Sequence, residues 1–274
     1  MPSVKLSSGL TVEYDVKGAG PPVVLLPGLG NRRLVWTEVA MALEDRHRVY
    51  TCDFRGYASR WDGPGFGIKD LAGDVALVIR ELGIEDPIVM GHSQGGFVAL
   101  ELALAHPGLI RGLVLLASAS YTDEYGKNLL RMWRALAEKA DVQVLVDELF
   151  LWNFSWHFCN ERTREMRILK AMIRKHAFDL SSFALHSLAC EGHETRDRLP
   201  AIQIPTLLVG GELDIVMTQR HNQILAKLIP HSELVVLPHA GHNLLAEAPE
   251  ALLVPVQAFL ARLEAEAQSR GDAA

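Results

Sequence analysis

One pentapeptide with a strict backbone requirement constrains this 274-residue chain more than any other feature. The apolar residues Val89 and Met90 lead into Gly91-His92-Ser93-Gln94-Gly95, and a helical pattern begins directly afterwards. A serine on a tight strand-to-helix turn needs small neighbours two residues away on both sides, where Gly91 and Gly95 stand. The pentapeptide alone also fits a glycine-rich turn, but its flanks favour a serine nucleophile at the carboxyl edge of a sheet.

Short apolar runs alternate with helical patterns along most of the chain. A continuous apolar run is typical of a strand covered on both faces, and alternation with helices indicates a mainly parallel sheet. Before these runs, alternating polar and apolar residues around Ser8-Gly9 predict an antiparallel hairpin. The predicted fold class is therefore α/β, with strands after the hairpin at Val23–Leu26, Arg48–Asp53, Ile88–Met90, Leu113–Ala117, Thr206–Gly210 and Leu234–Leu237.

The alternation stops at about Ser120 and resumes at Ile204. Consecutive helices fill the interval, with Asp141 and Asp179 as candidate N-caps. We predict a core formed by residues 1–120 and 199–274 and a helical cap formed by residues 121–198. A dense aromatic cluster in the cap either lines a ligand pocket or forms a small core of its own, and its members are Phe150, Trp152, Phe154, Trp156 and Phe158.

Composition and charge narrow the classes of function. The formal net charge of -6 and the lack of a basic run argue against a nucleic-acid partner. The first residues do not resemble a signal peptide, and no apolar segment approaches the roughly 20 residues that span a bilayer. We therefore expect a cytoplasmic protein without a membrane partner. Cys52, Cys159 and Cys190 form no Cys-x-x-Cys motif, which indicates reduced thiols without a catalytic role.

A serine nucleophile needs a base within hydrogen-bond reach and a third group that orients the base. Asp214 and His242 each follow a predicted strand closely, at the sheet edge where α/β proteins bind ligands. His92 is adjacent to the serine and cannot readily turn back to act as its base. His239 is interpreted as a loop residue. The residues therefore predict Ser93, Asp214 and His242 as the catalytic group.

Several motifs together make the chain resemble the α/β-hydrolase fold family of the cap-domain type, from Val4 to about Glu264. The resemblance implies an eight-stranded, mostly parallel sheet with a helical cap inserted after the sixth strand. It also implies a Ser93, Asp214 and His242 triad and an oxyanion hole formed by the backbone N–H groups of Leu29 and Gln94. The motifs are Gly91–Gly96, Asp53–Tyr57, Gly211–Asp214 and Ala240–His242.

The chain departs from the family pattern at one place and offers a second acid at another. Pro27-Gly28 stands where relatives commonly carry His-Gly, although the oxyanion donor itself is the backbone of the next residue. Asp123 occupies a position from which some relatives supply the acid, but Asp214 follows the next strand in the usual arrangement. The resemblance treats the loop with Asp53 and Arg55 as structural.

These residues predict a serine hydrolase that cleaves a small, largely hydrophobic carboxylic ester or lactone through an acyl-enzyme on Ser93. Trp152, Phe154 and Trp156 are predicted to bind this small-molecule substrate. We expect no cofactor and a monomer or homodimer. Metal binding is not expected either, because the histidines of the cap lack the spacing of ligands, namely His157, His176, His186 and His193.

Two alternative functions stay open on the sequence. Similar capped proteins hydrolyse the carbon–carbon bond of a β-diketone or a ring-cleavage product, which requires polar or basic groups in the cap. Other proteins of this fold act as small-molecule receptors with slow or no turnover. Candidate groups for the first alternative are Arg131, Arg134, Arg162, Arg164 and Arg174.

Overall fold

An eight-stranded sheet forms the centre of the computed structural model, which describes residues 2–57, 61–139, 142–175 and 179–271. The strand order is β1-β2-β4-β3-β5-β6-β7-β8. β2 pairs antiparallel with both β1 and β4, and the other neighbouring strands pair in parallel. The predicted hairpin and the mostly parallel, eight-stranded sheet are confirmed. The strands are β1 (Ser3–Lys5), β2 (Thr11–Lys17), β3 (Pro22–Leu26), β4 (Arg48–Cys52), β5 (Ile88–His92), β6 (Gly112–Leu116), β7 (Thr206–Gly211) and β8 (Ser232–Leu237).

Helices cover both faces of the sheet. None of the helices in the described ranges has the length and apolar character needed to cross a bilayer. The sequence pattern predicts a last helix from Pro249 to Glu264, whereas the helix continues to Gly271. The helices are α1 (Thr37–Leu43), α2 (Ile68–Glu81), α3 (Gln94–Ala105), α4 (Glu124–Lys139), α5 (Val142–Asn153), α6 (Trp156–Glu161), α7 (Thr163–Lys175), α8 (Leu180–Glu191), α9 (Gln219–Leu228), α10 (Leu244–Glu247) and α11 (Pro249–Gly271).

Alternate residues of the central strands point to opposite faces, so the sheet separates two hydrophobic clusters. Val23 and Leu25 belong to the cluster that includes side chains of α1 and α11. Val24 and Leu26 belong to the cluster that includes α2 and α3. All four side chains are buried. A strand covered on both faces needs a continuous apolar run, which explains why this part of the sequence carries no polar residue.

Helices α4 to α8 lie between β6 and β7 in the chain, where the sequence predicts the cap. Part of the aromatic cluster forms a small core, in which Phe150, Phe154 and Phe158 stack in succession. Asp179 accepts hydrogen bonds from the backbone N–H groups of Ser181 and Ser182, which confirms it as the N-cap of α8. The other candidate N-cap, Asp141, lies outside the described residues. The exact division at residues 121 and 198 stays a prediction.

A buried ion-pair network fixes the turn after β3. The side chain of Arg33 is 1% exposed, and its Nη1 lies 2.5 Å from Asp53 Oδ2. The other carboxylate oxygen of Asp53 accepts the backbone N–H of Arg33 at 2.6 Å. Arg55 pairs with Asp74 through two hydrogen bonds of 2.6 Å. Both motif residues therefore make structural contacts, and Asp53 holds the segment that follows Leu29.

Replacing Asp53 tests the contribution of this network to stability. Asp53→Ala removes the nearest carboxylate from a buried guanidinium and leaves a buried N–H without its acceptor. We expect the free energy of unfolding to fall by about 3 kcal/mol, measured by urea denaturation. The matched control is Glu194→Ala, because Glu194 pairs with Arg196 at the surface and both side chains are about half exposed. For Glu194→Ala we expect the free energy of unfolding to change by less than about 1 kcal/mol. Equal effects of the two variants would contradict a role for burial.

Candidate active site

Ser93 lies on the turn between β5 and α3 with a strained backbone, at φ 52° and ψ -116°. A Cβ atom at Gly91 would collide with the carbonyl of Gly95, and one at Gly95 would collide with the carbonyl of Leu26. The backbone N–H of Ser93 donates to the carbonyl of Leu116 at 2.9 Å. The two glycines of the pentapeptide therefore allow the close approach that the turn requires.

Ser93, His242 and Asp214 form a hydrogen-bonded chain. His242 Nε2 lies 3.0 Å from Ser93 Oγ, and His242 Nδ1 lies 2.9 Å from Asp214 Oδ2. The other oxygen of Asp214 accepts the backbone N–H groups of Val216 and Met217, each at 2.8 Å. With Asp214 ionised, the proton of a neutral His242 lies on Nδ1, and Nε2 presents its lone pair to the serine hydroxyl.

The environment keeps Asp214 ionised although it is buried. Burial alone would raise the pKa of this carboxyl group. The charge and hydrogen bond of His242, together with the two backbone N–H donors, outweigh that effect and hold the pKa below its usual value. A buried carboxylate can therefore orient His242 without becoming protonated at neutral pH.

The alternatives to these three residues have other roles in the structure. His92 Nε2 lies 3.0 Å from the backbone carbonyl of His242, so its ring supports the loop and does not face the serine hydroxyl. His239 is exposed, and its backbone N–H donates to Glu212 at 3.0 Å. Asp123 accepts the backbone N–H of Gly126 in the first turn of α4 at 2.9 Å. The described contacts of Asp123 therefore connect it to α4 and to His221.

A carboxylate fastens the loop that carries His242 to the cap. Glu247 Oε2 accepts the hydroxyl of Ser155 at 2.6 Å and the backbone N–H of Gly241 at 3.1 Å. The backbone N–H of Asn243 donates to the carbonyl of Asn153 at 2.9 Å. Burial raises the pKa of Glu247, although these hydrogen bonds act in the opposite direction. The residues on both sides of His242 are thus held by the turn between α5 and α6.

Both predicted oxyanion donors lie beside the serine. Leu29 and Gln94 line the same cavity as Ser93. Gln94 is the first residue of α3, and N–H groups in the first turn of a helix have no acceptor within the helix. The residue after Leu29 is also anchored, because the backbone N–H of Gly30 donates to the hydroxyl of Tyr57 at 2.8 Å. The predicted hole therefore lies at a helix N-terminus opposite a fixed turn.

The cavity and the open solvent at its mouth together occupy about 570 Å³. One wall comes from α4, where residues three or four positions apart face the same side. The rest of the cavity lining includes Phe97, Leu149, Val216 and Met217. Among the described residues, the lining carries no lysine, arginine, aspartate or glutamate. The α4 wall consists of Gly126, Leu129, Leu130 and Trp133.

The three aromatic residues predicted to bind substrate do not line this cavity. Trp152 packs edge-on against Tyr125 and donates its indole N–H to Glu148 at 3.3 Å. Phe154 belongs to the small core of the cap, and Trp156 is 68% exposed. Trp133, Leu129 and Leu130 do line the cavity, although the sequence did not single them out. Their helical spacing is visible in the sequence, but the direction in which that face points is not.

The histidines of the cap are dispersed. His186 and His193 are buried on the core side of the cap, and each has one ring nitrogen within hydrogen-bond distance of a backbone carbonyl. His157 lies beside Glu161 and the ring of His239. His176 lies outside the described residues. Within the described ranges, no three histidine, cysteine, aspartate or glutamate side chains are grouped as metal ligands would be.

Because three histidines are buried in the neutral form, we predict that the protein loses stability in acid. Burial lowers the pKa of His92, His186 and His193 from 6.5 to about 4. Between these two values the unfolded chain binds protons that the folded chain does not, so stability falls as the pH falls from 6.5 to 4. The expected slope is up to about 1.4 kcal/mol per pH unit for each histidine, measured by urea denaturation at several pH values. His193→Gln should make the slope shallower by one histidine's share, and an unchanged slope would contradict this origin.

Comparison with known proteins agrees with the fold. The α/β hydrolase fold family model matches residues 21–249. A protein of Azorhizobium caulinodans named as a RutD carbamate hydrolase is 28% identical over 241 residues, which cover 86% of this chain and 90% of the relative. A Mycobacterium tuberculosis protein named as a BpoC non-heme bromoperoxidase is 28% identical over 267 residues, which cover 93% of this chain and 100% of the relative.

A solved structure gives the same result. The crystal structure of the enol-lactonase from Burkholderia xenovorans LB400 aligns with a TM-score of 0.86 at 25% identity, and the alignment covers 95% of this chain and 100% of that one. The family match spans the sheet from the start of β3 to the beginning of α11. The chain therefore belongs to the α/β-hydrolase fold family.

Proposed function

We propose that this protein is a serine hydrolase that cleaves a small, uncharged, largely hydrophobic carboxylic ester or lactone through an acyl-enzyme on Ser93. One observation carries the proposal: the hydrogen-bonded chain of Asp214, His242 and Ser93 opens into a mainly apolar cavity. Such a cavity suits an apolar acyl or alcohol group, and the hydrogen-bonded chain suits attack on a carbonyl carbon.

The mechanism follows from the positions of the hydrogen-bonding groups. Ser93 Oγ attacks the carbonyl carbon while its proton moves to His242 Nε2. The backbone N–H groups of Leu29 and Gln94 stabilise the oxyanion of the tetrahedral intermediate. His242 then gives its proton to the leaving alcohol oxygen. A water molecule then attacks the acyl-enzyme and loses a proton to the same histidine. His242 returns this proton to Ser93 Oγ as the acid leaves, and Asp214 orients the ring throughout.

The charges of the cap favour an uncharged substrate. A carbon–carbon bond hydrolase acting on an anionic ring-cleavage product would need a cation in the cavity. Arg131 and Arg134 both pair with Glu191, and Arg162 and Arg164 are exposed. None of these four arginines lines the cavity. The side chain of Arg174 lies outside the described residues. This arrangement supports an ester or lactone in preference to an anionic diketone.

The relatives support the same reaction class. The solved relative is named as an enol-lactonase, and the Azorhizobium relative is named as a carbamate hydrolase. Lactones and carbamates share a carbonyl carbon bonded to a heteroatom that leaves. Attack by a serine nucleophile on that carbon is the step that the geometry around Ser93 supports.

The first test is multiple-turnover hydrolysis of nitrophenyl esters and of simple lactones of increasing chain length. We expect turnover by the wild type, and we expect Ser93→Ala to form no acyl-enzyme. Asp214→Asn is expected to lower kcat by about 10⁴-fold, because the ring of His242 then adopts the wrong tautomer. Asp123→Asn is the matched control and should keep near wild-type turnover.

The outcomes of this test separate the proposals. Turnover that survives in Ser93→Ala would contradict the acyl-enzyme. Equal losses in the two aspartate variants would contradict the assignment of the acid. No turnover on any ester or lactone, together with ligand-induced stabilisation, would instead favour a receptor. Turnover of β-diketones alone would favour carbon–carbon bond hydrolysis.

Replacing each of two tryptophans by alanine tests which of them contacts the substrate. Trp133→Ala removes a large side chain from the cavity lining, so we expect the acyl-chain optimum to shift to longer esters and kcat/KM for short esters to fall. Trp156→Ala changes an exposed residue outside the lining and should leave the chain-length profile unchanged. The profile of kcat/KM against acyl length distinguishes the two. A shift of the acyl-chain optimum in Trp156→Ala but not in Trp133→Ala would instead support the prediction from the sequence that Trp156 binds the substrate.

A further inference from the structure

A buried histidine of the cap contacts Gln94 on one side of the predicted oxyanion hole and Tyr57, which binds the segment on the other side. His186 lies on α8 and is fully buried. Its Nδ1 lies 3.0 Å from the side-chain nitrogen of Gln94, the residue whose backbone N–H is one predicted donor. Its ring stacks on Tyr57 with 4.1 Å between centroids, and the Tyr57 hydroxyl accepts the backbone N–H of Gly30, next to the other predicted donor at Leu29.

The hydrogen bonds of His186 specify one tautomer. Its Nε2 lies 2.9 Å from the backbone carbonyl of Arg55, which can only accept, so the proton of the neutral ring lies on Nε2. The lone pair on Nδ1 then accepts the amide N–H of Gln94. Burial lowers the pKa of His186 to about 4, so the ring is neutral at physiological pH and this arrangement persists. The side chain of Gln94 is buried and is held from the side of α8.

We propose that His186 is a positioning residue: through the side chain of Gln94 and the ring of Tyr57, it fixes the two backbone N–H groups that bind the oxyanion. The inference rests on the proposed function, because it assigns an action on the transition state of acyl transfer. Backbone donors act only if they are held where the negative charge develops, and a displacement of about 1 Å can lower the rate about 100-fold. His186 touches no reacting atom and acts through its neighbours.

The test compares His186→Phe with His193→Phe. The first variant keeps an aromatic ring against Tyr57 but removes the acceptor for Gln94. We expect kcat to fall about tenfold or more with KM within about twofold, because the oxyanion is bound only in the transition state. His193 is a matched control, since it is buried, lies 3.1 Å from a backbone carbonyl and stacks on Phe97 at 4.0 Å. Its described hydrogen bond and ring stacking involve neither Gln94 nor Tyr57, so its variant should keep the wild-type kcat.

Two further variants separate the hydrogen bond from general packing. His186→Asn returns an acceptor beside Gln94 and should recover part of the kcat that His186→Phe loses. Gln94→Met keeps the backbone donor but removes the side-chain anchor, so it should resemble His186→Phe. The double variant should be no slower than either single variant, because both remove the same contact. Gln94→Met also tests the inference if His186→Phe does not fold.

A second readout does not depend on the natural substrate. A fluorophosphonate probe loses fluoride when Ser93 Oγ attacks its phosphorus, and its phosphoryl oxygen occupies the oxyanion hole. We expect His186→Phe to be labelled about tenfold more slowly than the wild type and His193→Phe at the wild-type rate. Equal labelling of His186→Phe and the wild type, or equal slowing by both histidine variants, overturns the inference while the proposed function stands. A wild type that is not labelled at Ser93 overturns both.

Discussion

The strained backbone of Ser93 is the constraint on which the rest of the site depends. A residue with φ at 52° on a strand-to-helix turn is held only where the surrounding chain comes close enough to fix it. Here the carbonyls beside Gly91 and Gly95 leave no room for a Cβ atom. β5 lies between β3 and β6 in the sheet, so the serine projects from its middle. β7 and β8 run parallel to β5, and the residues that follow them, Asp214 and His242, therefore reach the same edge.

The cap stabilises both sides of this edge. His186 contacts the Gln94 side of the serine, whereas Asn153 and Ser155 contact the loop that carries His242. The hydrogen-bonded chain and the oxyanion donors thus lie at the boundary between the sheet and the inserted helices. Cap residues at this boundary can therefore affect the rate without contacting the substrate, as proposed for His186.

The sequence predicts the sheet and the candidate site because their signals are local. Buried strands need apolar runs, the tight turn needs glycines, and Asp214 and His242 follow their strands directly. The lining of the cavity is not predictable in the same way, because helical spacing shows that Leu129 and Trp133 share a face without showing what that face meets. Residue type does not decide the lining either, because Trp156 is exposed on a short helix whereas Trp133 lines the cavity. The role of His186 depends on contacts with distant segments, which no local pattern contains.

The burial of His92 keeps it uncharged beside the base His242. The ring of His92 lies 5.2 Å from the ring of His242, and a charge on it would oppose the imidazolium that forms there during attack by the serine. Burial and the neighbouring His242 lower the pKa of His92 to about 4, so it carries no charge at neutral pH. Its hydrogen bond to the backbone of His242 is kept, because a neutral ring still donates one N–H. His92 can therefore hold the loop in place while Asp214 provides the charge that stabilises the imidazolium.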